Sequence, residues 1–179
     1  MFYLILILHT IFDVIYPKIK CDSELHSTLT TIQKLRCAQE LIHQVLKDGP
    51  LTIKTDLDFP FEAYWDASTR TVAVARTENK IHSLLFELHN ASTQKQFEYY
   101  NSLVIQNKIS KDEYIREIEY LEYQNTYKTA AIIDEGIRVG LFPPNTHANY
   151  SSDFEDHLCD QKSTGHSAWI GEIYDELLS

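Results

Sequence analysis

The residues of this chain that are best suited to chemistry lie in one short stretch, where the carboxylic acid Glu87 stands between His82 and His89. Residues 81–91 carry apolar side chains at i, i+3, i+4 and i+7, so we expect an amphipathic helix. Two histidines seven residues apart on a helix are separated by about 10 Å along its axis. They do not share one zinc ion at ligand distances of about 2 Å, so this pair alone predicts no metal site.

Glu87 also belongs to the run Phe86-Glu87-Leu88-His89-Asn90, which follows a predicted β-hairpin and precedes Ala91. An edge hairpin followed by a helix reading L-L-x-E-L-x-x-A resembles the core of the zincin metallopeptidases, whose helix reads L-x-H-E-L-x-H-A. In that motif the two histidines leave one face of the helix at i and i+4 and bind zinc, while the glutamate activates the zinc-bound water. The resemblance covers residues 61–91 and extends more loosely to about residue 140.

The two positions that hold histidine in zincins are occupied here by Phe86 and Asn90. Phenylalanine has no lone pair for a metal, and the neutral amide oxygen of asparagine is a poor zinc ligand. The resemblance therefore implies a zincin-like protein that is catalytically inactive and without a metal or other cofactor, with Glu87 as a vestigial general base. We predict that a protein or peptide partner binds in the former active-site cleft, which is formed by Tyr64, Trp65, Phe86, Glu87 and Asn90.

The third metal ligand of one zincin group is a glutamate on a helix that follows the motif. Glu119 and Glu122 lie on a predicted helix after the motif, so the resemblance implies that either one is the remnant of that ligand. A solvated acidic helix face explains the same two residues without any metal.

Other classes of function remain open. A hydrolase with a displaced zinc ion requires at least three candidate ligands within about 5 Å of one point. The candidates are His82, Glu87, His89, Glu119, Glu122, His157, Cys159 and His166. A thiol hydrolase would instead use Cys159 as the nucleophile. A purely structural helical domain would pack Phe86 in its core and have no groove.

Composition bears on the choice of partners. The 179 residues carry a net charge of −10, from 16 basic and 26 acidic side chains. Nucleic acids and anionic membrane surfaces require clustered Lys and Arg, so we expect neither as a partner of the folded domain. Five glycines, with no Gly-rich motif, also argue against a phosphate-binding loop. A hydrophobic fraction of 44% is sufficient for one folded domain.

The chain begins with an apolar segment at residues 2–16, which is interrupted by His9 and Asp13. It has the length of a signal-peptide core, but no Lys or Arg precedes it and no small-residue cleavage site follows. It is also short for a membrane span. We predict that residues 1–20 are a signal or anchor for export or membrane association, with a cytoplasmic protein as the alternative. A single domain is expected over residues 21–179.

Periodicity and breaker residues predict the elements of the first half of the domain. A helical stripe runs from about residue 23 to 47, where Gly49-Pro50 ends it. Alternation over residues 51–55 indicates a strand, and residues 61–76 have the pattern of a β-hairpin.

In the second half, the central helix is expected to continue from residue 79 to about 107. Ser110 and Glu113 form a capping-box pattern at the start of a helix that ends near Val139. The polar stretch 142–165 predicts a long loop, and residues 169–178 predict a closing helix.

These patterns predict an α+β fold that is mostly helical. A small sheet or hairpin packs on a long central helix, and a second long helix lies behind it. The resemblance implies that this arrangement is zincin-like, and zinc is an expected cofactor only under the displaced-metal alternative.

Overall fold

The computed structural model describes residues 18–56, 61–75, 77–148 and 150–179. The apolar segment 2–16 and Arg76, at the end of the predicted hairpin, lie outside these residues. Within them the fold is α+β and mostly helical, as predicted, with seven helices and one four-stranded sheet. No helix in this part of the chain combines the length and the hydrophobicity that crossing a bilayer requires.

The sheet contains four short strands: β1 (Ile19–Cys21), β2 (Leu51–Thr55), β3 (Ala63–Asp66) and β4 (Thr71–Val74). Their order is β1-β2-β4-β3. The first three strands in this order are parallel, whereas β3 pairs antiparallel with β4 and forms one edge. All four residues of β4 are buried, whereas those of β3 are half-buried. The predicted strand and hairpin are therefore present, and their strands belong to one sheet.

Seven helices accompany the sheet: α1 (Ser23–Ile32), α2 (Arg36–Leu46), α3 (Lys80–Ser92), α4 (Gln94–Ile105), α5 (Lys111–Arg138), α6 (Phe154–Thr164) and α7 (His166–Leu177). Helix α3 lies at the centre, because it contacts β3, β4, α2 and α5. Eight of its 13 residues are buried, and Leu84, Leu85 and Leu88 are fully so. The apolar stripe predicted from the sequence thus holds the sheet and the other helices together.

The start of the sheet was not predicted. Strand β1 pairs with β2 from Ile19 to Cys21, so Ile19 and Lys20 belong to the folded unit. We expected both residues in the segment before the domain. A strand of three residues is too short to show an alternating pattern, and its partner β2 is more than 25 residues away in the sequence.

Two predicted long helices are each divided in the structure. The helix expected over 23–47 breaks before Arg36, because Leu35 adopts an extended backbone (φ −89°, ψ 133°) and inserts its side chain into the core. The central helix ends at Ser92 rather than near residue 107. Thr93 interrupts it, and its hydroxyl donates to the carbonyl oxygen of His89 at 3.0 Å. Tertiary packing decides both breaks.

The capping box is confirmed, whereas the predicted loop 142–165 is wrong in its second half. Ser110 Oγ accepts from Glu113 N–H, and the Glu113 carboxylate accepts from Ser110 N–H at 2.9 Å. Residues 154–164 form α6, whose N-cap Asp153 accepts from Asp156 N–H at 3.0 Å. Helix α6 buries only two side chains, so its sequence has almost no apolar stripe to detect.

Gly136 on α5 allows Phe142 to pack against the helix, because a Cβ atom at residue 136 would overlap the ring. Phe142 is buried. We expect Gly136→Ala to lower the free energy of unfolding by about 1–3 kcal/mol, measured by urea denaturation. Gly171→Ala on α7 is the matched control. There the Cβ first meets the flexible end of Lys111, so we expect no loss, or a gain of up to about 1 kcal/mol. Equal losses in both variants would contradict the packing of Phe142.

Candidate functional site

A cleft of about 410 Å³ lies between the edge strand β3, the central helix α3 and the last helix α7. Aromatic side chains from these elements, from α4 and from the segment before β3 form much of its wall: Phe61, Tyr64, Trp65, Phe86, Phe97 and Trp169. Four polar side chains meet within it: Glu87, Asn90, Glu122 and His166. Pockets of this size with apolar walls and a few convergent polar groups are typical of binding sites.

The structure places all five residues of the predicted cleft in this cavity. Tyr64 and Trp65 come from β3, and Phe86, Glu87 and Asn90 come from α3. The ring of Phe86 is half-buried and borders the opening instead of filling the core. The purely structural alternative required a packed Phe86 and no groove, so it does not fit this geometry.

The backbone of β3 faces the cleft. Ala75 N–H donates to Glu62 C=O at 2.8 Å, which fixes the register of the antiparallel pair. Because hydrogen bonding alternates along antiparallel strands, the amide groups of Ala63 and Trp65 point away from β4. The indole N–H of Trp65 donates to Gln94 Oε1 at 2.8 Å, and its backbone amide lies close enough to Glu87 to lower the pKa of that carboxyl group. These contacts place Trp65 against α3 and the start of α4.

The side-chain amide of Asn90, at the position of the second zincin histidine, is engaged in hydrogen bonds. Asn90 Nδ2 donates to Glu87 Oε2 at 3.0 Å, while Asn90 Oδ1 accepts from Asn125 Nδ2 at 3.0 Å. Asn125 also donates to Thr93 Oγ1 at 2.9 Å and accepts from Lys128 Nζ at 3.0 Å. The amide oxygen of Asn90 is therefore already engaged, and Phe86 offers no ligand atom.

Glu87 behaves as a carboxylic acid rather than as a carboxylate. Burial and, after it, the neighbouring charge of Glu122 raise its pKa to about 8, despite opposing contacts from Asn90, His166 and the amide of Trp65. A proton therefore stays on Glu87 at neutral pH. In this state the residue donates or accepts a hydrogen bond, but it is not an active general base.

A second polar cluster lies beside the cleft, between α5 and the α6–α7 pair. Glu119 is completely buried. Its Oε1 accepts from Ser167 Oγ at 2.6 Å and lies 3.2 Å from His166 Nδ1. Its Oε2 makes no hydrogen bond and lies 3.5 Å from His157 Nε2. Glu122 Oε2 lies 3.6 Å from His166 Nε2.

The charges of this cluster are unequal. Burial acts to raise the pKa of Glu119, but contacts with His157, His166 and Ser167 lower it to about 2. Burial raises the pKa of Glu122 to about 7. Burial acts to lower the pKa of His166, but Glu119, Glu122 and Glu87 raise it to about 9. At neutral pH the buried carboxylate of Glu119 is therefore compensated by an imidazolium at His166.

Of the eight candidate ligands of the displaced-metal alternative, only some lie close to one another. Glu119, Glu122 and His166 come together, with one ligand atom from each within 4.8 Å of the others, which is the spacing that this alternative requires. Of the remaining candidates, His82 stacks on Phe86 at a ring-centroid distance of 6.0 Å, and His89 is buried near Lys128. Cys159, the candidate thiol nucleophile, is exposed on α6 and does not line the cleft.

The sequence does not indicate that His157 and His166 approach α5, or that Ser167 and Asn125 contact the site. The first two lie in or beside the stretch that predicts a loop, and only the helical pair α6–α7 brings them back to the cluster. A usable signal was present, because Asp153 is followed by two acidic residues in the first turn of α6, which is typical of a helix start.

Comparison of the chain with protein-family models, with curated proteins and with solved structures finds no match.

The proton on Glu87 predicts a specific pH dependence. The folded state holds this proton up to about pH 8, whereas the unfolded chain releases it near its ordinary pKa of about 4.5. The folded state binds more protons between these values, so its stability falls as pH rises through that range. Glu87→Gln keeps an acceptor for Asn90. We expect this variant to lack a decrease in the free energy of unfolding on the order of a few kcal/mol between pH 5 and pH 9.

The measurement is urea denaturation of wild type and variant at several pH values. Glu40→Gln, at an exposed position on α2, is the control and should retain the pH profile of the wild type. If the free energy of unfolding changed with pH in the same way in wild type and in Glu87→Gln, Glu87 would be ionised in the folded protein.

Proposed function

We propose that this chain is a non-catalytic binding protein that holds an extended peptide segment of a partner protein in the cleft between β3 and α7. The observation that carries the proposal is the position of β3. It forms the sheet edge, where the backbone amide and carbonyl of Ala63 and the carbonyl of Trp65 point away from β4, and both residues line the cleft. An extended peptide that lies along such an edge gains main-chain hydrogen bonds, while adjacent pockets select its side chains.

The order of elements around the cleft supports a zincin-like ancestry for this site. An antiparallel edge strand, β3, is followed by the parallel strand β4 and then by α3, which carries Glu87. This is the hairpin-then-helix order on which the resemblance rests. Zincin-like proteins use the edge strand to hold extended substrates, so a cleft of this origin is suited to peptide binding even without catalysis.

The chemistry of α3 argues against catalysis at the ancestral position. Phe86 has no ligand atom, Asn90 has its amide oxygen bound by Asn125, and Glu87 is protonated at neutral pH. A zinc-bound water has no two-histidine support there, and no carboxylate is ready to take its proton.

The walls of the cleft indicate the chemistry of the peptide. Phe61, Trp65, Phe86 and Trp169 offer apolar and aromatic surface, which favours aliphatic or aromatic side chains on the ligand. The net charge of −10 disfavours an acidic peptide. We therefore expect an extended segment with alternating apolar side chains that is neutral or basic overall.

Selection from a displayed library of random twelve-residue peptides tests this proposal. The two tryptophans of the chain, Trp65 and Trp169, both line the cleft, so intrinsic fluorescence reports binding of the selected peptides. Ile173→Arg places a bulky charge in the cleft, and we expect it to weaken peptide binding at least about 10-fold. Leu178→Arg, at an exposed site near the end of α7, should bind as the wild type does. Equal binding by both variants would place the peptide elsewhere.

A pool of internally quenched fluorogenic peptides tests the non-catalytic part of the proposal. We expect no increase in fluorescence with the wild-type chain, with or without added zinc, beyond that of a reaction without protein. Cleavage that Glu87→Gln abolishes would identify Glu87 as a working base and would overturn this part.

A further inference from the structure

Four potential metal ligands from three helices face one another beside the cleft. Glu119 and Glu122 are three residues apart on α5 and therefore lie on the same helix face. His157 on α6 and His166 on α7 both approach this face, because the chain reverses at Gly165. That residue has φ +87°, a left-handed conformation that glycine adopts without strain. Because of this turn, one histidine from each of the two following helices faces α5.

The spacing within this cluster differs from that of tight ion pairs. The three imidazole–carboxylate separations are 3.2, 3.5 and 3.6 Å. Charge-assisted hydrogen bonds are typically about 2.7–2.9 Å long. All three separations exceed that length, so none of these contacts is a tight ion pair. The two at His166 involve its two different ring nitrogens, of which only one would bind the ion.

We propose that Glu119, Glu122 and His166 bind one divalent transition-metal ion, with His157 as the fourth ligand. One ligand atom from each of the first three residues already lies within 4.8 Å of the other two. This proposed site does not use the positions of Phe86 and Asn90 on α3, although Glu119 and Glu122 are the residues that the resemblance relates to the third zincin ligand.

Two buried atoms of this cluster that make no hydrogen bond also support a cation site. Glu119 Oε2 and His157 Nε2 make no hydrogen bond, although the two side chains are 0% and 8% exposed. They point at each other across 3.5 Å. A buried polar atom without a partner costs about 1–3 kcal/mol, and more when the group is charged. A cation between the two atoms would satisfy both.

The donor set also indicates the class of metal. Two imidazoles and two carboxylates suit zinc and its neighbours in the first transition row, whereas calcium and magnesium prefer sites made of oxygen atoms alone. Two carboxylates balance the charge of a divalent ion. Ser167 Oγ, which donates to Glu119 Oε1 at 2.6 Å, would hold that carboxylate in place as an outer-shell contact.

The expected consequence of metal binding is structural. The ion would tie α6 and α7, and with α7 one wall of the cleft, to the long helix α5. Ligands that bind only the folded state raise its stability in proportion to their occupancy. Peptide binding along β3 does not require this ion, so either proposal can fail without the other.

Zinc titration of the chelator-stripped, full-length chain tests the site, with affinity measured by competition against a chromophoric chelator. We expect one zinc ion per chain and a higher melting temperature when zinc is present. Glu122→Gln and His166→Gln should each weaken zinc binding at least about 100-fold, because even the loss of an outer-shell partner costs about 10–100-fold. Asp134→Asn on α5 and His43→Gln on α2 change matched but exposed residues and should bind as the wild type does.

X-ray absorption at the zinc edge provides a test on the wild type that needs no variant to fold. We expect nitrogen and oxygen neighbours with an imidazole signature and no sulfur. Sulfur scattering would place the metal on cysteine and overturn the proposal. So would zinc binding that is unchanged in both ligand variants, or an absence of stoichiometric binding to the wild type.

Discussion

Three carboxyl groups, those of the buried Glu87 and Glu119 and the half-buried Glu122, lie next to one another where α3, α5 and α7 meet. Transfer of a single carboxylate from water to a protein interior costs several kcal/mol unless the charge is compensated. Two adjacent carboxylates also repel each other, so they do not both ionise readily. The surrounding structure has to supply protons, cations or hydrogen-bond donors to this group.

Each carboxyl group is accommodated in a different way. Glu119 takes the ionised form, with Ser167 as a donor and His166 as its counter-charge. Glu87 retains its proton and accepts from Asn90. Glu122 has a pKa of about 7 and so lies between these two states. Apolar burial alone would place none of these groups here, so their position depends on the polar contacts around them.

The sequence predicts the parts of this site that depend on local pattern. The stripe around Leu84 and Leu88 predicts the central helix, and the alternation at residues 61–76 predicts the strand beside it. Together they place Tyr64, Trp65 and Phe86 on one cleft, because a strand and helix joined by a short connection pack against each other.

The parts that were missed depend on contacts between distant segments. Leu35 breaks a helical pattern only because the core accepts its side chain, and β1 exists only because β2 pairs with it. Helix α6 buries little, so its periodicity is weak, and the approach of His157 to Glu119 follows from its unforeseen fold. The zincin-like relationship remains a hypothesis, since it depends on a short motif and on the order of the elements.

The shallow burial of α6 has a further consequence for how the cleft opens. This helix buries only His157 and Leu158, and α7 buries only Ser167, Ile170 and Gly171, whereas α3 is surrounded by the main core. The C-terminal helix pair therefore has the lower local stability and should separate from α5 in partial unfolding events, while the sheet and α3 remain intact. A ligand that enters from this side would not require global unfolding. The wall of the cleft on this side is α7, which packs Ile170 against Tyr114 and Ile118 of α5.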